Sequence, residues 1–543
     1  MLKDDIQKFI RGEVADDSDT LAKYSKDASI FEIKPRLVVF PKDSGDIQKI
    51  VRFVNNSSER LSLTCRAAGT DMTGGAINDS IIIDTKYLNR MIELSDGYAV
   101  VQPGMMYKDF DSETLRHNLI LPIYPASRDI CTVGGMVAAN AGGERDLAYG
   151  QLNGYVLSMK AVLADGNEYV LCPLNMDQVR EKIAKNDFEG KVYKDMHELI
   201  TKNAELIAEA EPKVSKNSTG YSVWDVSDGQ TFDLSKLFIG SQGTLGIITE
   251  VKIKLINPKP FQALLVIRLQ DVKKLAQVVE DILQYTPESF ECFDKETLQL
   301  ALRHSFHLAK SFKHSSRVRA YMRFLPDKIA ALRGVLPALT LMANFTGESR
   351  QETFAKALSA KESLKKFRLS SAIYDTPASA EKYWIIRHKS FSLLRFSNVS
   401  GRASAFIDDI IVKPEHLSEF LPRLNELINP YKDKMVYTVA GHVGDGNFHI
   451  IPLMDLSDLK VRTIIPELME KVFNLVFQYK GSMSAEHNDG LIRGHYLKKM
   501  YGEEMFKVFQ EVKQIFDPRH IFNPHKKTDA TAMYSFEHMI NHA

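Results

Sequence analysis

Short apolar runs separated by glycine-rich turns mark the first half of the chain. A run of this length, bounded by turn residues, is typical of a buried strand. The runs lie at 36–41, 61–67, 80–85, 98–103 and 156–164, with another strand-like stretch within 236–256. The first half is therefore predicted to be α/β, with a charged, helix-forming insertion at about 176–212.

The second half alternates strand and helix patterns without glycine loops, after a break at Asn257-Pro258. This alternation favours helices layered on an antiparallel sheet. We expect its strands at 261–269, 318–324 and 339–345. The predicted units are a first domain at 1–257, an α+β domain at 258–479 and a C-terminal segment at 480–543 that returns to the first domain.

Composition excludes several classes of protein. The 543 residues carry 70 basic and 69 acidic side chains, so net charge gives no overall attraction to nucleic acid. The four cysteines are far apart, which argues against a zinc ribbon, an iron–sulfur cluster or a disulfide scaffold. They are Cys65, Cys131, Cys172 and Cys292.

The N-terminal sequence predicts no targeting signal. The N-terminus is acidic, unlike secretory or mitochondrial leaders. No apolar run reaches the ~20 residues that a membrane span needs. The sequence therefore predicts a cytoplasmic protein, with peripheral contact with a membrane left open.

Three glycine clusters carry the first candidate chemistry. Residues 69–76 (GTDMTGGA) lie between two predicted strands, where successive N–H groups can form an anion nest for a pyrophosphate. The loop is neither a GxGxxG fingerprint nor a P-loop, and a tight surface turn is the alternative. Two Gly-Gly pairs follow within 125–150, and GSQGTLG at 240–246 is the third cluster.

The order of these clusters resembles the FAD-binding domain of the vanillyl-alcohol oxidase type. More narrowly, it is similar to the D-lactate dehydrogenase and glycolate oxidase flavoproteins, from about Pro35 to Lys526. The resemblance implies a two-part FAD-binding domain joined to an α+β substrate (cap) domain with an antiparallel sheet. It implies FAD contacts at Arg66, Gly69, Thr70, Gly74, Gly75, Pro125, Ser127, Thr132, Gly134, Gly135, Asn140, Gly143, Gly246, Ile248 and Asn523.

The tail of the chain extends the resemblance. Asp517-Pro518 and Asn523-Pro524 match the family's closing segment, although His525 stands where the family has glycine. No histidine or cysteine occupies the first loop, where some relatives attach the flavin covalently. We therefore expect non-covalent FAD.

A histidine hairpin carries the second candidate chemistry. Asp445-Gly446 is a favoured two-residue turn, and with it at the tip His442 pairs directly with His449. Such partners share a face, with Cβ atoms ~5 Å apart, which suits two imidazoles on one metal. Glu486-His487 adds a carboxylate and a third imidazole. Two histidines and a carboxylate suit a catalytic zinc or manganese ion, whereas for a lone histidine a core or surface role is commoner.

The segments GHVGDGNFH and GSMSAEH resemble the D-2-hydroxyacid dehydrogenases. The resemblance implies that His442, His449 and Glu486 bind a divalent metal and that His487 is the general base. It also implies that Arg387, in a Trp-x-x-Arg element, binds the substrate carboxylate, where an exposed helix arginine is the alternative. Asn447 can hydrogen-bond the substrate carboxylate or hydroxyl.

The implied reaction oxidises a D-2-hydroxy acid to a 2-keto acid and passes electrons to a separate quinone, cytochrome, electron-transfer flavoprotein or partner subunit. Relatives selective for a second carboxylate carry a lysine before the stretch comparable to 406–409 (FIDD), which lacks one. An inward-facing acidic pair there would also repel a dicarboxylate. We therefore expect D-lactate ahead of D-2-hydroxyglutarate or glycolate.

The sequence leaves the oligomeric state open, with a homodimer as one possibility. It also leaves three rival interpretations of the function. The first is an oxidase that reduces O₂. The second is a non-catalytic flavoprotein electron-transfer subunit of a larger complex. The third is a structural metal protein with vestigial FAD loops.

Overall fold

The computed structural model describes residues 2–394 and 401–541. Two sheets are built from the first 254 residues. One has three parallel strands and an antiparallel edge strand, in the order Glu13–Ala15, Leu37–Phe40, Ile81–Asp84, Leu63–Arg66. The other is antiparallel, in the order Met91–Ser95, Tyr98–Val101, Ile247–Lys254, Val156–Val162, Glu168–Leu171.

A seven-stranded antiparallel sheet dominates the second half. Its order is Ser370–Tyr374, Phe261–Leu269, Leu339–Gly347, Ser289–Asp294, Val439–His442, Asn447–Ile450, Ile410–Ile411. Leu265 and Ile267 face one core, whereas Leu264 and Val266 face another. Because both faces are covered, the strand reads as a continuous apolar run rather than an alternating one.

Smaller strand groups complete the sheets. One has the order Arg402–Ala403, Leu453–Met454, Met435–Val436, and the other pairs Thr231–Phe232 with Leu174–Asn175.

Helices cover these sheets. Those of the first half are Leu2–Gln7, Ser18–Tyr24, Ser44–Asn56, Tyr107–Arg116, Val133–Ala139, Asp146–Tyr149, Met176–Ile183, Phe188–Lys202, Ala204–Ala210 and Ser235–Phe238. Those of the second half are Leu275–Leu283, Lys295–Arg303, Ser305–Leu308, Arg317–Met322, Leu325–Leu332, Arg350–Ser363, Pro377–Leu394, Leu417–Ile428, Leu459–Arg462, Ile464–Gln478, Gly490–Arg493, Leu497–Tyr501, Glu503–Phe516 and Ala532–Glu537. Among the described residues, none of these helices has the length and apolar character that crossing a membrane requires.

The strand predicted at 318–324 is wrong. Residues Arg317–Met322 form a helix outside the sheet. Ala320 and Phe324, four positions apart, are buried against neighbouring helices, while Val318 and Met322 are exposed. The apolar positions therefore follow the helical period, in which side chains four residues apart share a face.

The C-terminal segment packs against the first half of the chain. Leu63 forms a bridge with Phe522, and Lys513 Nζ bonds to the Thr244 and Phe522 carbonyl oxygens. Lys527 and Asp489 form a buried ion pair of 2.8 Å. These contacts bring Glu486 and His487 to the junction of the sheets.

Candidate active site

A cavity of about 1540 Å³ lies between the glycine loops and the seven-stranded sheet. It exceeds the roughly 300–1,000 Å³ of ordinary small-molecule sites, so it can hold a dinucleotide and a small substrate together. Its wall includes the 69–72 loop and also His442, His449, Glu486 and His487. One cavity thus joins the two candidate chemistries.

Most of the residues implied as FAD contacts line this cavity. They are Arg66, Gly69, Thr70, Gly75, Pro125, Ser127, Thr132, Gly134, Gly135, Gly143, Gly246 and Ile248. Gly74, Asn140 and Asn523 do not line it. A Cβ on Gly74 would meet Phe31 and Leu491, so this glycine lies against the core.

Asn140 and Asn523 hold the cavity walls together. Asn140 ends the helix Val133–Ala139 in the left-handed conformation, and its Oδ1 accepts a bond from the Asn153 amide. Asn523 donates to the Gly75 and Gln242 carbonyl oxygens and accepts from Thr64. Both side chains thus bond to the protein itself, and their contact with FAD, as expected from the sequence, stays a prediction.

The first loop is shaped around a guanidinium. Gly69 has a φ of +69°, and a Cβ there would overlap with the Arg66 guanidinium. Arg66 in turn donates 2.7 Å to the Lys26 carbonyl oxygen. Asp27 Oδ2, buried beside this wall, has no hydrogen-bond partner among the described residues. A hydroxyl donor of a bound ligand would satisfy it, which fits a ribose-containing cofactor.

The predicted register of the histidine hairpin is wrong. His442 pairs with Asn447 and Ala440 with His449, so the turn spans four residues, Val443–Gly446, instead of two. The shift is two residues, and because side chains alternate along a strand both histidines stay on one face. Their ring centroids are 5.1 Å apart.

Glu486 meets both imidazoles. Its Oε1 lies 3.2 Å from His442 Nε2 and 3.2 Å from His449 Nε2. Its Oε2 lies 3.2 Å from Lys216 Nζ, which is almost fully buried. His487 Nε2 is 3.9 Å from Oε1 and faces the same space.

Buried carboxylates hold the opposite edges of the rings. His442 Nδ1 is 2.7 Å from Glu291 Oε1, and His449 Nδ1 is 3.3 Å from Asp408 Oδ1. Asp408 Oδ2 also lies 2.7 Å from His487 Nδ1. These contacts turn the Nε2 atoms inward, the arrangement in which carboxylates orient histidine ligands around a metal.

Asp409 organises the backbone of the Glu486-His487 pair. Its Oδ2 accepts from Ser484 Oγ at 2.6 Å and from the amides of Glu486 and His487 at 2.9 and 2.7 Å. Asp409, His449, Glu486 and His487 offer donor atoms within 4.8 Å of one another. Because the Asp409 carboxylate is already engaged, His442 is the better partner for His449 and Glu486.

The excess of carboxylates shifts the pKa values of the cluster. Burial lowers the pKa of His449, but Asp408 and Glu486 raise it to about 10. Burial likewise lowers the pKa of His442, but Glu291 and Glu486 together more than compensate, so the net direction is upward. Burial raises the pKa of Glu486, but Lys216 and His442 bring it well below its usual range. The cluster therefore attracts positive charge.

Arg387 is not the exposed helix arginine of the alternative interpretation. It is buried in the helix Pro377–Leu394, lines the cavity, and its Nε and Nη2 lie 2.9 and 2.8 Å from Glu291 Oε2. This leaves Nη1 for a ligand carboxylate.

Asn447 does not line the cavity, because its amide donates to Asp409 Oδ1 and the Ile410 carbonyl oxygen. Its Nδ2 therefore supports Asp409, and its expected contact with substrate stays a prediction.

Sequence reasoning missed Glu291, Lys216 and the role of the Asp408-Asp409 pair. A signal existed for Glu291, a charged residue inside the buried strand Ser289–Asp294, and for the aspartates, which interrupt an apolar run. Neither aspartate lines the cavity, so the expected repulsion of a second substrate carboxylate does not apply. Lys216 gave no signal, since a lysine in a loop is usually exposed.

Two thiols, those of Cys65 and Cys131, line the cavity. Cys65 lines the cavity, and burial, with Asp84, raises the pKa of its thiol to about 12. Because the thiolate is the nucleophile, this cysteine is poorly suited to attach a flavin.

Known proteins resemble this chain in sequence and in fold. The D-2-hydroxyglutarate dehydrogenase of Pseudomonas putida is 26% identical over 95% of this chain and 50% of that protein, so this chain spans about half its length. The D-lactate dehydrogenase of Archaeoglobus fulgidus is 25% identical over 90% of both. The structure of 4-ethylphenol oxidase from Gulosibacter chungangensis superposes with a TM-score of 0.68 at 15% identity, covering 98% of this chain and 97% of that one.

Two domain models cover most of the chain. An FAD binding domain matches residues 35–171, and the C-terminal domain of FAD linked oxidases matches residues 259–527. The predicted fold, an FAD-binding part joined to a domain with an antiparallel sheet, is confirmed by these matches and by the superposition. The chain therefore belongs to the FAD-linked oxidase family of flavoproteins.

Proposed function

We propose that this protein oxidises a small D-2-hydroxy acid to the 2-keto acid, with non-covalent FAD and a divalent metal. One observation carries the proposal: Glu486 Oε1 sits between the inward Nε2 atoms of His442 and His449, in the cavity that the FAD-binding loops also line. When bound, FAD supplies the hydride acceptor and the metal supplies a Lewis acid for the substrate hydroxyl.

The donor set fits a metal. Ligands about 2.1 Å from a zinc ion lie roughly 3.0–3.4 Å from one another, according to whether the geometry is octahedral or tetrahedral. The two Glu486-to-histidine distances of 3.2 Å fall in this range. His442, His449 and Glu486 would therefore hold the ion, and zinc or manganese suits two imidazoles and a carboxylate.

His487 is placed to take the hydroxyl proton. Asp408 lies against its Nδ1, so a proton held on Nδ1 leaves the Nε2 lone pair facing the cavity. Arg387 Nη1 would bind the substrate carboxylate from the other wall. A substrate anchored by its carboxylate presents the adjacent C2 hydroxyl to the histidine cluster, as general base catalysis requires.

D-Lactate is the first candidate, because no lysine precedes the 406–409 stretch. D-2-Hydroxyglutarate is the second. It is favoured by the relatives of that name, and Lys313, Lys389 and Arg402 on the cavity wall could accept a second carboxylate. Electrons would leave the reduced flavin for a separate quinone, cytochrome or electron-transfer flavoprotein.

Anaerobic flavin bleaching tests the proposal. The purified flavoprotein is mixed separately with D-lactate, L-lactate, glycolate and D-2-hydroxyglutarate. Rapid bleaching by one D-acid, lost in His487→Ala, is the expected result. A yellow protein that none of these acids bleaches would instead identify an electron-transfer subunit, and peroxide formation in air would identify an oxidase.

A further inference from the structure

One surface of the molecule combines exposed apolar and basic side chains. It comprises residues 303–335, which form short helices above the seven-stranded sheet, and we call it the basic apolar surface. Leu332 is 88% exposed, Val318 is 74% exposed and Phe306 is 71% exposed, and Met322, Ile329 and Val335 are also exposed. The rings of Phe306 and Tyr321 lie 6.4 Å apart, so the short helices that carry these side chains lie together, and apolar residues exposed side by side indicate an interaction site.

The exposed apolar side chains of this segment are not core residues that lack packing partners. The inner side of the same segment is satisfied, because Ala320 and Phe324 are buried against Phe312 and Leu308. The rings of Phe312 and Phe324 meet edge to face at 6.1 Å. The helices are therefore held from beneath, and their outward apolar side chains remain available to a partner.

The charge of the segment is one-sided. Residues 303–335 contain eight lysines and arginines, although the whole chain is nearly balanced. Asp327 is the one carboxylate of the segment, and it is buried in an ion pair with Lys382 at 2.7 Å. The exposed cations are Arg303, Lys310, Lys313, Arg317, Arg319 and Arg333.

We propose that the basic apolar surface docks on an anionic lipid membrane. Apolar side chains beside lysines and arginines, with no exposed carboxylate, match the acyl chains and the charged headgroups of such a membrane. Ser311 and Lys313 of this segment also line the cavity. Docking here brings the flavin cavity to the membrane face, where a lipid-soluble electron acceptor such as a quinone resides.

Vesicle flotation of the full chain tests this docking without any need for activity. The expected result is flotation with vesicles of phosphatidylcholine and phosphatidylglycerol, weak flotation with phosphatidylcholine alone, and release at high salt because screening weakens charge attraction. Absence of flotation with anionic vesicles, or equal flotation with both vesicle types, overturns the proposal.

Two paired variants test the apolar and the basic positions of this surface. Val318→Glu with Leu332→Glu, and Arg317→Glu with Arg319→Glu, should each reduce the bound fraction by at least about tenfold. Matched controls are Met533→Glu, which changes a 71% exposed methionine elsewhere, and Lys34→Glu with Lys42→Glu. The controls should float like the parent. An equal loss of flotation in the control variants would overturn the proposal. A surface that binds a protein but no vesicle would overturn it as well.

Anaerobic bleaching of the same variants distinguishes this proposal from the proposed function. The four substituted positions of the paired variants lie outside the cavity wall. Substrate-driven bleaching should therefore be unchanged in variants that no longer float. If the parent floats but no acid bleaches it, the docking stands and the proposed reaction fails.

Discussion

Lys216 Nζ lies 3.2 Å from Glu486 Oε2, and the lysine is almost completely buried. This contact leaves Oε1 to the histidines and keeps the carboxylate ionised. Asp146 and Asp445 stand farther from the ammonium, at 3.7 and 3.8 Å. A buried cation of this kind orients a metal ligand from behind, as outer partners do in metal sites.

Lys216→Met should weaken metal binding. Without the ammonium, Glu486 Oε2 loses its partner and the carboxylate can rotate away from the histidines. Affinity for zinc or manganese should fall by about 10- to 100-fold, measured by competition with a chelator. Lys213→Met is the matched control, because Lys213 is an exposed lysine three positions away. Unchanged affinity in Lys216→Met would show that the lysine serves the fold alone.

Asp408→Asn should impair His487, the proposed general base. The carboxylate lies against the Nδ1 atoms of His487 and His449, so its loss frees both rings. We expect kcat to fall by about a hundredfold or more while FAD remains bound. Stopped-flow bleaching measures the rate, and Asp455→Asn, at an exposed aspartate, is the control. A variant that bleaches as fast as the parent would show that Asp408 does not assist the reaction.

Arg387→Met should act on substrate binding. Loss of a charged hydrogen bond to the substrate carboxylate should raise KM by about 10- to 100-fold, with Arg387→Lys recovering part of it. The metal content should stay at the parent level, because Arg387 contacts Glu291 and none of the proposed ligands. Glu291→Gln gives the contrast, since it should lower metal affinity through His442. An unaltered KM in Arg387→Met would place the carboxylate elsewhere.

Stability should decline in mild acid through His495. Burial lowers the pKa of this histidine to about 4. Between pH 6.5 and 4 the unfolded chain binds a proton that the folded protein does not, so stability falls as pH falls through this window. The loss from this group is about 3 kcal/mol. Thermal unfolding at several pH values should show a shallower decline in His495→Gln, and an identical decline would exclude the group.

Most of the strands, and the histidines and glutamate that meet in the cavity, could be predicted from sequence, because apolar periodicity, glycine clusters and short motifs are local signals. The hairpin shows the limit. Asp445-Gly446 predicted a two-residue turn, but the turn has four residues. The prediction that His442 and His449 share a face of the sheet is confirmed, because a shift of two residues preserves the alternation of side chains between the two faces.

The partners of the histidines could not be predicted in the same way. Glu291 lies 151 positions from His442, and Lys216 lies 270 positions from Glu486. Only the folded sheets and the returning C-terminal segment bring them together. The apolar pattern of residues 318–324 also led to a wrong prediction. This helix has apolar residues on its exposed side as well as on its buried side, so its sequence is as apolar as that of a strand.

Anaerobic flavin reduction before and after removal of metal shows whether oxidation of the hydroxy acid needs the ion held by His442, His449 and Glu486. The protein is treated with EDTA, its zinc and manganese contents are measured, and bleaching by the active D-acid is followed as each ion is restored. Bleaching should be lost with the metal and recover with one of the two ions in the parent, whereas His442→Ala and Glu486→Gln should not recover. Full-rate bleaching by the metal-free parent would contradict this need for the ion.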